Sequence, residues 1–133
     1  MAVRITLMVM RLVVLCVLVL GLTFWIHPAA ENETTLSIHR TLGILTVLLL
    51  WVLGFFVLRI KGGVVLGVSA FVLGLLITYV GLNQTTWLVG ASHWVVQTVH
   101  LLLGISAMGF GEMLAARYRR ATKAAQPVTQ QAG

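Results

Sequence analysis

The chain has 133 residues, enough for one domain, of which 59% are hydrophobic and 9% charged, and its mean hydropathy is +1.03. A soluble domain is about 25% charged, so this composition excludes an ordinary soluble globule and belongs in a bilayer. The formal net charge is +6, but the basic residues stand at the ends of apolar segments, where they act as membrane topology signals and not as a nucleic-acid surface.

The first apolar segment covers residues 5–26. Arg4 and Arg11 precede its densest part, residues 12–26. A basic start, this run and Pro28-Ala29-Ala30 also have the form of a signal peptide. Proline is unfavourable three residues before a cleavage point, and the run is long once residues 5–10 are included, so a retained membrane helix is the expectation. Cys16 is the one cysteine; it forms no intramolecular disulfide and reads as a passive core thiol.

A polar loop, residues 27–36, carries Glu31 and Glu33. The second segment, 36–58, has no charge after Arg40 and is closed by Arg59 and Lys61, with Gly62-Gly63 as the turn. The third covers 64–82. Gly67, Gly74 and Gly81 recur in it every seven residues, a small-residue stripe of the kind that lets helices approach closely in lipid. A second loop, 83–92, leads to the fourth segment, 93–114. A basic tail, 118–133, ends in a polar Gln/Thr/Pro stretch read as disordered.

Each segment of about 20 residues can span about 30 Å of hydrocarbon. Only helices or closed barrels satisfy the backbone there, and no segment alternates as a barrel strand does. The fold class is therefore all-α: an integral-membrane four-helix bundle over residues 1–117. Arg4, Arg11, Arg59, Lys61 and the basic cluster from Arg117 to Lys123 fall on one side. The positive-inside rule places both termini in the cytoplasm and the histidine-bearing ends outside, in the cell membrane of a prokaryote. Trp25, Trp87 and Trp94 fit an outer aromatic belt and Tyr118 an inner one.

Two stretches organise the functional reading. Ser37-Ile38-His39-Arg40-Thr41-Leu42-Gly43 and Val99-His100-Leu101-Leu102-Leu103-Gly104 each put a glycine four residues after a histidine. On a helix these positions share a face, so each imidazole has an empty place one turn below it. Two such faces could grip a planar metal macrocycle between two nitrogens. His39 lies 20 residues from Arg59 and His100 17 from Arg117, or about 30 and 25 Å at about 1.5 Å per residue, so tilt can bring them level. His93 shares the face of His100 and is the alternative ligand, but Gln97 fills the place a ring would need. Neutral imidazole ligates haem iron well, and a pair of them fills both axial positions.

Plainer roles stand beside these. His39 with Arg40 fits an interfacial pair, His100 an interhelical hydrogen bond, His93 a cap beside Trp94, His27 a surface residue and Glu112 an interfacial charge. Asn32-Glu33-Thr34-Thr35-Leu36 and Asn83-Gln84-Thr85-Thr86-Trp87 hint at an internal repeat, which would set the two histidine helices face to face.

The residues around His39-Arg40 and the basic turn at Arg59, and the stretch from Gln97 to Gly104, resemble one half of the haem A synthase family over residues 12–117. That resemblance implies four helices, histidine ligands in the second and fourth, work as a dimer, and stepwise oxidation of the haem O methyl group. Glu33 and Glu31 are the candidate catalytic acids and Arg40 the propionate partner. The family's glutamate close before the second-helix histidine is absent, since Leu36 stands three residues before His39 and Glu33 six. The loop cysteine pair of many members is also missing, and one histidine pair serves where a full-length enzyme has two. The pattern is similar too to other four-helix b-type membrane cytochromes. Three functions follow: a haem b-binding protein like half of haem A synthase, with haem O or haem A as substrate and product; an electron-transfer cytochrome or haem-bearing subunit of a respiratory complex; and a cofactor-free packing subunit. The expected partners are the lipid bilayer, haem, and a second copy or a larger membrane complex.

Overall fold

Segments that are apolar in the middle and charged at the ends can satisfy their backbone in hydrocarbon only by coiling. A computed structural model, which describes residues 1–125, contains four helices: α1 (Ala2–Ile26), α2 (Glu33–Leu58), α3 (Val64–Asn83) and α4 (His93–Ala124). No strand occurs among the described residues. All four helices are long and apolar enough to cross a membrane; the shortest, α3 with 20 residues, extends about 30 Å at about 1.5 Å per residue. Each helix packs on its neighbours in chain order, α4 returns to α1, and α2 meets α4 across the middle of the bundle.

The core is concentrated at one end. Val3, Leu7, Met10 and Val13 bury one face of α1; Leu50, Leu53 and Val57 of α2 share one buried cluster with Ala107, Leu114 and Ala115 of α4. Met10, Leu50, Leu53, Val57 and Leu114 are fully sealed. This end holds the start of α1, the α2–α3 turn and the close of α4. Arg11 Nε donates to Glu112 Oε1 at 2.6 Å, tying α1 to α4. Arg117 Nη2 donates to the Lys61 carbonyl at 3.3 Å. Gly62 turns the chain with φ +71°, and a side chain there would meet Arg117. Leu12, Leu15, Val19 and many other large apolar side chains point outward, the surface a bilayer covers.

Four expectations change. The tail from residue 118 does not leave the helix: α4 runs ten residues past 114, to Ala124, because Tyr118 packs edge-on against Phe56 at 5.6 Å and no proline or glycine intervenes. Residues 126–133, where disorder was expected, lie outside the described residues. Cys16 is exposed, since the inward face of α1 continues through Val14, Val17 and Gly21. The glycine stripe divides: Gly67 and Gly74 pack against Leu58 and Trp51 of α2, whereas Gly81 faces α4. A seven-residue spacing drifts about 20° per repeat around a straight helix, enough to turn the third glycine to another neighbour. The two Asn-x-Thr-Thr stretches also do different work. Asn32 caps α2, its side chain accepting from the Thr34 and Thr35 amides, with Thr35 Oγ1 accepting from the Asn32 amide to complete a capping box. Asn83 ends α3 and donates to the Tyr79 carbonyl.

Candidate functional site

The opposite half of the bundle does not close. It encloses a cavity of about 340 Å³ walled by all four helices and by the α1–α2 and α3–α4 loops, within the range of small-molecule sites, about 300–1,000 Å³. The wall is mostly apolar, with polar groups gathered toward the mouth: Glu31, Arg40, Gln84, Thr85, His93 and Gln97.

His39 and His100 face each other in it. The capping box starts α2 at Glu33, which puts His39 in its second turn; His100 stands in the second to third turn of α4. Their ring centres are 6.2 Å apart with planes at 55°. Phe24 of α1 meets His39 edge-on at 5.6 Å. Both rings are half-buried, and in each Nδ1 is sealed from solvent without a hydrogen-bond partner. A third sealed and unpaired atom, Trp51 Nε1, lies in the packed half against Gly74.

Gly43 and Gly104, one turn below the histidines, both line the cavity, and the space where their side chains would stand is open. The i, i+4 reading of the sequence therefore locates real space. Arg40 and Glu31 line the mouth and are exposed. Among the described residues neither makes an ion pair, the one such pair being Arg11–Glu112. Glu33 stands apart from the cavity wall. It occupies the first turn of α2, where a carboxylate is stabilised by the helix dipole. His93, the alternative ligand, is the first residue of α4 and lines the mouth; its Nδ1–H donates to the Trp87 carbonyl at 3.2 Å. The ring that faces His39 is that of His100.

Two residues missed by sequence reasoning complete the site. A side-chain carbon on Gly21 of α1 would lie 3.2 Å from His39 Cε1, and one on Gly81 of α3 would lie 2.9 Å from His100 Cε1. Each histidine thus rests on a glycine of the preceding helix. The available signal was the near-equal separation, 39 − 21 = 18 and 100 − 81 = 19 residues.

Among the described residues no group of three or more His, Cys, Asp or Glu side chains gathers around a point. A bare zinc-like ion needs about four donors. Two opposed imidazoles suit a metal whose remaining positions are filled by something other than the protein. No protein-family model, curated protein or solved structure matches the chain.

Proposed function

We propose that this chain is a membrane haem-binding protein that holds one b-type haem between His39 and His100, resembling one half of haem A synthase. The observation that carries the reading is the 6.2 Å separation of the two ring centres across a cavity common to all four helices. That separation leaves room for a metal atom between the rings, which His39 and His100 would hold through neutral imidazole nitrogens. The open places at Gly43 and Gly104 supply room for a flat ring, and the apolar wall suits a porphyrin face. Arg40 at the mouth pairs with a propionate, since guanidinium binds carboxylate through two parallel hydrogen bonds. The sorting of basic residues supports a cell-membrane protein with both termini cytoplasmic and the cavity toward the outer leaflet.

When bound, haem supplies a one-electron iron couple. His39 and His100 would hold the iron from either side, the apolar wall would keep water from it, and Arg40 and Glu31 would keep charge at the mouth. In the haem A synthase reading the substrate is haem O, and Glu31 is the acid placed on the wall. A second reading, an electron-transfer cytochrome or haem-bearing subunit, is favoured by the single histidine pair, which leaves no second site for a substrate haem. The cofactor-free packing role needs the histidines as interhelical donors; the His39 ring lies near the Val17 backbone of α1, whereas Nδ1 of His100 is sealed without a partner. A chain this small is expected to act with a second copy or within a larger membrane complex.

The deciding experiment is a reduced-minus-oxidised absorption spectrum of the detergent-purified protein, beside His39→Ala, His100→Ala and His93→Ala. Sharp low-spin bands in the wild type and in His93→Ala, lost or turned high-spin in the other two, are expected. A folded, haem-supplied wild type without haem would refute the proposal. Conversion of haem O to haem A by cells expressing the chain separates enzyme from carrier.

A further inference from the structure

Most glycines in the bundle that face another helix meet ordinary packing side chains: Gly67 meets Leu58, Gly74 meets Trp51, Gly111 meets Met10. Two do not. Gly21 and Gly81 each meet an imidazole, and the imidazoles are His39 and His100. Carbon atoms pack at about 3.5–4.0 Å, so at 3.2 and 2.9 Å from the Cε1 atoms each ring occupies space that any other residue would fill. The arrangement is made twice, by α1 under α2 and by α3 under α4.

We propose that Gly21 and Gly81 are positioning residues that seat the imidazoles of His39 and His100 on bare helix backbone, so that one nitrogen of each ring is left to the shared cavity. The sealed nitrogen in both rings is Nδ1; each ring turns its Cε1 edge to the glycine, with Nδ1 4.0 Å from the side-chain position of Gly21 in His39, and Nδ1 and Nε2 3.6 and 3.8 Å from that of Gly81 in His100. Nε2 of neither ring is among the sealed, unpaired atoms, which leaves it as the ligating atom. No hydrogen bond through Nδ1 orients these rings, as is usual for ligating histidines. Their orientation is set by shape, and the shape is set by the missing side chains. Gly43 and Gly104 differ in kind: the space beside them is open, so they make room for a ligand, whereas Gly21 and Gly81 make room for the ligating groups.

The inference rests on the haem reading for what the rings hold, so its test has one arm that needs no haem. Full-length protein carrying histidine labelled with carbon-13 at Cε1, in detergent micelles, gives one resonance for each of the four histidines. Gly81→Ala is expected to move the His100 resonance and Gly21→Ala, with the longer approach, the His39 resonance by less. Gly109→Ala, a site in open space away from the cavity, moves neither. In the haem-loaded proteins the low-spin fraction falls in Gly81→Ala and less in Gly21→Ala, and added imidazole restores it. Unmoved resonances, or moved resonances with an unchanged low-spin spectrum, overturn the proposal while the haem reading stands. A wild type that takes up no haem overturns the haem reading alone, and the resonances still decide whether the glycines seat the rings. Circular dichroism checks the fold of each variant. If Gly81→Ala does not accumulate, Gly21→Ala decides; failure of both to fold assigns the glycines to helix packing and overturns the proposal.

Discussion

The two ends of this bundle are built on opposite terms. At the end that holds the chain's first residues, Met10, Leu50, Leu53, Val57 and Leu114 are sealed from solvent, and the Arg11–Glu112 pair and the Arg117 bond to Lys61 clamp the helices. At the opposite end the same helices stand around a hollow, with two half-buried imidazoles and open space beside two glycines. One end is packed so that the other can stay empty. In lipid, where apolar burial gives little drive between helices, close packing carries association, so stability is concentrated where no ligand has to enter.

Leu53→Ala should expose this division most strongly. In lipid the transfer contribution largely falls away and the cavity contribution remains, so a loss of about 2 kcal/mol is expected, at the low end for such truncations. Thermal or denaturant unfolding of the purified protein measures it, and the haem spectrum of the folded fraction should be unchanged. Coupled loss of the spectrum would mean that the ends are not independent. Gly104→Leu and Gly43→Leu should do the reverse: a leucine enters open space, so unfolding shifts by less than about 0.5 kcal/mol, while haem uptake falls at least tenfold in a titration with added haem. The smallest expected effect concerns what fixes the height of His39. Asn32→Ala removes the capping box of α2 and should cost about 1 kcal/mol. Ser92→Ala at the start of α4, where the side chain makes no capping bond, should cost nothing measurable in the same unfolding assay.

The helices were legible because charge punctuates them: Arg59 and Lys61 with Gly62-Gly63 end α2 where the sequence places the turn. The relation of His39 to Gly43 and of His100 to Gly104 was legible because it lies within one helix, where periodicity dictates geometry. What depended on the register between helices was not. Gly81 looked like part of a packing stripe and Gly21 like one more small residue in an apolar run, since no periodicity within α1 or α3 records which atom of a neighbour stands opposite. Glu33 and Glu31 were indistinguishable in sequence; the capping box separates them, drawing Glu33 into the helix and leaving Glu31 on the cavity wall. The helical stretch after 114 was hidden because a polar composition suits a solvated helix as well as a loose tail.

A cavity walled by four helices has a history as well as a shape. His39 enters the membrane with the second helix, but its counterpart arrives only with the fourth, and the wall between them is unfinished until then. No intermediate with fewer spans contains the site, so any occupant must be taken up after the last helix is in place. Loading of the proposed haem would therefore be a late step of biogenesis, and a chain halted before its fourth span would lack the complete cavity.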